Sequence, residues 1–115
     1  MLPLSENYQA EAKSILDELI ASELHAAYLE SEEEEDYMAL REAFEPRMVA
    51  LHNKVMDENP LQIIELEKIF LNENYEGLIL PKILGYSVLR GEHDENFKYR
   101  KPQDHFENIL LAICN

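Results

Sequence analysis

Helical spacing of apolar residues constrains the fold of this chain more than any other feature. Between residues 8 and 28 the apolar positions recur every three or four residues, while the opposite stripe is polar. This pattern predicts one amphipathic helix of about 25 residues, which Ser5 opens as its N-cap. The apolar positions are Tyr8, Ala12, Ile15, Leu16, Leu19, Ile20, Leu24, Ala27 and Tyr28.

A second helical pattern begins at Ser31 and continues to Met56. Ser31 is an N-cap candidate, and Glu34 follows three residues later, as in a capping box. The acidic run 32–36 then falls in the first turns, where the helix dipole favours negative charge. Pro46 lacks the N–H that an interior helical position needs. We therefore predict a kink or short break at Pro46, with the helix resuming because the apolar period continues beyond it.

The second half of the chain predicts three more helices. Asn59 and Pro60 form an N-cap followed by proline at the first helical position. The segment from Gly77 to Arg90 is apolar nearly all round, which indicates burial between neighbours. Its first four residues resemble a short strand, but Pro81 and the absence of a partner strand argue against one. Pro102 is expected to open the fifth helix.

Five helices with short connections predict an all-α fold, arranged as an antiparallel bundle or as stacked helical hairpins. The chain contains only three glycines, which disfavours the many tight turns of a β fold. The apolar segments 61–71 and 78–89 are expected to form the centre. A length of 115 residues predicts one domain, 1–115.

The end of the chain lies within an apolar helical pattern, from Ile109 to Cys114, without a glycine cap or a following proline. This pattern favours the amino-terminal part of a longer protein. Cys114 is the only cysteine, so an intrachain disulfide and a cysteine-based zinc site are excluded. Residues 1–6 lack the basic flank and the apolar run of a signal peptide. No apolar run in the sequence approaches the roughly 20 residues that span a bilayer. The expected location is the cytoplasm.

Net charge is the most unusual feature of the composition, at −14. Residues 1–36 hold eleven acids and one base, Lys13, which gives −10, whereas residues 82–101 sum to +2. Such a chain repels phosphate backbones and anionic lipids, so neither nucleic acid nor a membrane is an expected partner. The segment 97–101 alternates aromatic and basic residues, a pattern that can stack nucleic-acid bases. The overall charge favours instead a connector that packs Phe97 and Tyr99 inward.

No catalytic or cofactor-binding motif occurs in the sequence. None of the four histidines follows a glutamate by three positions, and no His-Glu-x-x-His, glycine-rich phosphate loop or Gly-x-Ser-x-Gly elbow is present. His25 and His105 are expected at the surface, and Cys114 is expected to be a small core residue. A small enzyme would have to use His105 or the loop Glu92–Glu95. Accordingly, no cofactor or metal is predicted.

The function predicted first is a non-catalytic helical domain for protein interaction or oligomerisation. Its expected contact surface is the apolar excess of the fourth helix together with two later aromatic residues: Leu78, Ile79, Leu80, Ile83, Leu84, Tyr86, Phe97 and Tyr99. The alternative is an acidic, immunity- or antitoxin-like inhibitor of a basic partner protein, because complementary charge speeds encounter with a cationic surface. The third interpretation is the small enzyme.

Overall fold

The protein is all-α, as a computed structural model that describes residues 3–73, 79–91 and 95–98 shows. The described residues contain five α-helices and no strand, and a 3₁₀ turn at Pro60–Gln62 joins the third helix to the fourth. The helices are α1 Glu6–Ala21, α2 Glu23–Ser31, α3 Glu34–Glu58, α4 Ile63–Phe70 and α5 Ile79–Arg90. The longest helix, α3, contacts each of the other four, so it forms the axis of the bundle. The all-α prediction is confirmed.

The first predicted helix is two helices, so its prediction as a single element is wrong. Ser22 adopts an extended backbone with ψ of 141°, which ends α1 and starts α2. The Ser22 side chain accepts a hydrogen bond from the backbone N–H of Leu24 at 3.1 Å. A serine hydroxyl that bonds nearby backbone competes with helical pairing. The apolar period runs through this break, and therefore periodicity alone did not reveal it.

The N-cap predicted at Ser31 is also wrong, because α3 begins three residues later. Ser31 is the last residue of α2, Glu32 adopts a left-handed backbone with φ of 55°, and Glu33 is the N-cap of α3. The Ser31 hydroxyl accepts the N–H of Glu33 at 3.2 Å and donates to the carboxylate of Asp36. The serine therefore stabilises a tight turn between two helices instead of opening one.

Pro46 does not interrupt α3, which is continuous from residue 34 to residue 58, so a break there is not found. Pro46 and Glu42, the residue whose carbonyl loses its helical partner, are both exposed. A carbonyl on the solvent side of a helix can turn toward water, which reduces the cost of the missing bond.

The core is formed by one side of α1, the length of α3, and α4 with α5. The two segments expected at the centre contribute side chains that are almost fully buried: Ile63, Leu66, Phe70, Leu71, Leu84, Val88 and Leu89. Burial of each such side chain stabilises the fold by roughly 1.5–3 kcal/mol. Helices α4 and α5 cross closely at Gly85, where a Cβ atom would lie 1.9 Å from the carbonyl oxygen of Phe70. The fifth predicted helix, from Pro102, lies outside the described residues.

Polar contacts join the start of α1 to the end of α3 and the turn after it. The hydroxyl of Tyr8 donates to Glu58 at 2.6 Å and accepts from the Asn59 side chain at 2.8 Å. The hydrogen bond to the Glu58 carboxylate raises the pKa of Tyr8, because it stabilises the protonated phenol. Ser5 is the N-cap residue of α1, as predicted, but its hydroxyl donates to Gln62 at 2.9 Å and makes no capping hydrogen bond to the helix.

Candidate functional site

The predicted fourth helix is α5 in the structure. Where its side chains are described, the surface predicted on it is largely covered by the chain itself. Leu84 is fully buried, Tyr86 is half-buried and Phe97 is 7% exposed. Helix α5 includes the three other predicted residues Ile79, Leu80 and Ile83, whose side chains lie outside the described part. Leu78 and Tyr99 also lie outside the described residues. Among the described side chains of the predicted set, Leu84 and Phe97 lie in one core cluster, and Tyr86 packs against a second.

Exposed large apolar side chains occur elsewhere, at Leu24, Leu29 and Leu61, which are 36%, 62% and 74% exposed. Two of these three lie on α2, the least covered helix of the bundle, in which only His25 is buried. Leu24 and Leu29 lie on opposite sides of His25 around the helix, given 100° per residue. Each leucine borders the packed side of α2, and Leu29 is the more accessible of the two.

Acidic residues follow Leu29 along the chain. Glu30 and residues 32–35 are all exposed, and none of the ion pairs found in the described part of the chain involves them. Two acids of α1 differ, since Glu11 lies 3.5 Å from Lys54 and Glu18 contacts Arg47. Within the described residues, the carboxylates of Glu30 and Glu32–Glu35 therefore form no ion pair. We call Leu29, Glu30 and Glu32–Glu35 the acidic turn.

The acidic turn is held in place by packing between α2 and α3. The rings of Tyr28 and Tyr37 meet edge to face with centroids 5.5 Å apart, and the guanidinium of Arg41 lies 6.0 Å from the Tyr37 ring. His25 is 6% exposed, so the expectation that it lies at the surface is wrong. It faces inward because the break at Ser22 rotates α2 relative to the stripe that a continuous helix would present. The acidic turn therefore lies on a fixed support.

The residues considered for catalysis are mostly outside the described part, which excludes residues 92–94 and His105; Glu95 is exposed. A buried pair that the sequence did not reveal is formed by His52 on α3 and Glu67 on α4. Their closest atoms, Nε2 and Oε1, are 3.9 Å apart, and Phe97 stacks on the imidazole at 4.3 Å between ring centroids. No group of three His, Cys, Asp or Glu side chains in the described residues is placed to hold a metal ion.

Sequence reasoning found the acidic run of the turn but not its apolar neighbour. Leu29 is not among the apolar positions that defined the first predicted helix, so the pattern gave it no place in the core or in a contact surface. The sequence signal that could have pointed to Leu29 is Ser22, because a helix that starts at this serine presents a different set of residues to α3.

Comparisons of the chain with protein-family models, with curated proteins and with solved structures each find no match. Among the described helices, none combines the length and apolar content needed to cross a bilayer.

Proposed function

We propose that this chain is a non-catalytic helical domain that binds a basic protein partner through the acidic turn. The observation that carries the proposal is the placement of Leu29, 62% exposed, among five exposed glutamates that take part in none of the ion pairs of the described residues. An apolar side chain next to a run of like charges supplies both attraction and burial area to a partner of opposite charge. A basic segment with a leucine-sized pocket or an apolar face is the complementary surface.

Charge and apolar contact have separate roles in this proposal. A net charge of −14 attracts a cationic protein over roughly the 10 Å reach of electrostatics at 0.1 M salt, which raises the association rate. Exposed ion pairs add little affinity by themselves, typically about 0–1 kcal/mol each. Burial of Leu29 would contribute most of the affinity that persists at higher salt.

Self-association through α5 stays a prediction. It is favoured less than the acidic turn because Leu84, Val88 and Leu89 are already buried by the chain's own helices. The inhibitor interpretation is a special case of the present proposal, in which the bound basic protein is a toxin or enzyme. The charge supports that case as well.

A comparison of two exposed leucines tests the proposal. The probe is an amphipathic helical peptide of lysine and leucine, titrated against the full chain by isothermal calorimetry at low salt. Leu29→Ser is expected to weaken binding about ten-fold, which corresponds to roughly 1.4 kcal/mol and fits the loss of one buried leucine contact. Leu61→Ser is the matched control, because Leu61 is 74% exposed on the turn between α3 and α4.

The control variant is expected to bind within about two-fold of the unmodified chain, since it changes no residue of the acidic turn. Equal affinities for the Leu29 and Leu61 variants would contradict the proposal, because attraction would then reflect net charge alone.

A further inference from the structure

The short segment 95–98 is held against α3 by a side chain that binds its backbone. The Asn53 side-chain amide donates to the carbonyl of Asn96 at 2.7 Å and accepts from the backbone N–H of Lys98 at 2.9 Å. One residue of a parallel β-strand makes this same pair of bonds, to the residues before and after its neighbour. Asn53 therefore recognises two peptide groups on either side of residue 97 without regard to side chains.

The side chain between those two peptide groups is Phe97, which enters the core. It is 7% exposed, and its ring stacks on His52 at 4.3 Å with 28° between planes. His52 is itself 1% exposed, and neither of its ring nitrogens has a hydrogen-bond partner among the described residues. An aromatic ring at this place shields the imidazole from water, and a smaller side chain would leave a cavity above it.

The residue after Phe97 contributes a charge contact. Both carboxylate oxygens of Asp57 lie 2.8 Å from the ammonium of Lys98. Asn53 and Asp57 are four residues apart on α3 and so share one face of the helix. Within about one and a half turns of α3, His52 thus contacts the aromatic ring, Asn53 binds the two peptide groups and Asp57 binds the ammonium. We call His52, Asn53 and Asp57 the α3 clamp.

We propose that the α3 clamp is a binding site for linear protein segments in which an aromatic residue is followed by lysine. Residues 96–98 of the chain occupy it, and a partner segment of the same chemistry binds by displacing them. The contacts of the clamp itself involve three consecutive residues, 96–98. Its acidic member, Asp57, fits a basic partner, as does the charge of the whole chain. The clamp shares no residue with the acidic turn, so either proposal can fail alone.

Competition between the chain's own segment and an added peptide tests this inference. A tethered segment has an effective concentration on the order of millimolar, so the unmodified chain is expected to bind the peptide weakly. Phe97→Ala removes the ring of the resident segment and opens its place. The acetylated, amidated peptide Glu-Asn-Phe-Lys, titrated into isotope-labelled full chain, is expected to bind this variant at least ten-fold more tightly. The expected signature is a shift of the Asn53 side-chain amide resonances.

Three controls separate clamp binding from general attraction to an acidic chain. The peptide Glu-Asn-Ala-Lys has the same charge and is expected not to shift the Asn53 resonances. Adding Asn53→Ala to the Phe97→Ala variant is expected to abolish the gain in affinity. Lys98→Glu alters an exposed residue and so tests the site should the Phe97 variant not fold. It is expected to strengthen peptide binding about five-fold, and Asp57→Lys added to it is expected to reverse that gain.

A folded Phe97→Ala variant that binds both peptides equally would overturn the inference. So would a Lys98→Glu variant that binds the phenylalanine peptide no better than the unmodified chain does. Concentration-dependent dimerisation of either variant without peptide binding would assign the clamp to a second copy of the chain, and would also overturn it.

Discussion

Gly85→Ala is expected to lower the free energy of unfolding by about 3 kcal/mol or more, by forcing α4 and α5 apart. A Cβ atom at residue 85 would lie 1.9 Å from the carbonyl oxygen of Phe70 and 2.4 Å from its carbonyl carbon. Both atoms belong to the backbone and cannot rotate away. Relief would require a shift of one helix, which disturbs the buried Phe70 and Leu84 together. Urea unfolding followed by circular dichroism measures the change.

The direction of the stability change in Gly85→Ala distinguishes a close helix crossing from a position free of close contacts. Alanine in place of glycine within a helix free of close contacts stabilises it by about 1 kcal/mol, because alanine has the higher helix propensity. Lys82→Ala, at an exposed position of the same helix, is the control and is expected to change stability by less than about 0.5 kcal/mol. A Gly85→Ala protein as stable as the unmodified chain would show that α4 and α5 do not cross at residue 85.

Glu45→Leu is expected to destabilise the protein by about 3 kcal/mol, because it removes from the buried Arg41 guanidinium the carboxylate with which it pairs on α3. Arg41 and Glu45 are both 5% exposed and form an ion pair one helical turn apart on α3. Transferring both charges from water is costly, so the pair itself adds little net stability. The double variant Arg41→Met, Glu45→Leu is therefore expected to be more stable than Glu45→Leu alone, because it leaves no buried charge facing the new leucine.

An exposed pair provides the contrast. Glu18 and Arg47 also form an ion pair, but their side chains are 56% and 42% exposed. Glu18→Leu is expected to cost less than about 1 kcal/mol, since water solvates the remaining arginine. Equal costs for Glu45→Leu and Glu18→Leu in thermal unfolding would mean that Arg41 and Glu45 are not buried in solution.

Helical spacing was sufficient for the fold class and for much of the core. Most positions of α1 and α3 that the pattern marked as apolar are buried, as are Leu84, Val88 and Leu89 of α5, whereas Tyr86 is half-buried. Spacing predicts burial there because an apolar stripe about 100° wide on a helix is stable only when it packs against other helices. It did not locate the ends of α2, because Ser22 and Glu33 end and begin helices through local hydrogen bonds that leave the apolar period unchanged.

The burial of several polar and charged residues was the second feature that the sequence pattern did not predict. His52 and Glu67, like Arg41 and Glu45, are charged or polar residue types that a pattern assigns to the surface. They are buried because each finds its partner on the same helix or a neighbouring one, and that pairing depends on how helices align. The acidic turn could be predicted from the sequence only in part. Its charge is plain in the sequence, whereas the exposure of Leu29 depends on the turn that follows it.

The most direct test of the central claim compares two sets of charge variants that have the same net charge. One replaces Glu32, Glu33, Glu34 and Glu35 by glutamine, and the other replaces four exposed acids outside the acidic turn, Glu6, Glu11, Glu18 and Glu42. Affinity of each for the lysine–leucine peptide is measured between 20 and 200 mM salt, a range over which screening shortens from roughly 20 Å to 7 Å. If the acidic turn binds basic partners, the first set loses most of the affinity and of its salt dependence, while the second retains both. Equal losses in the two sets would contradict a located site.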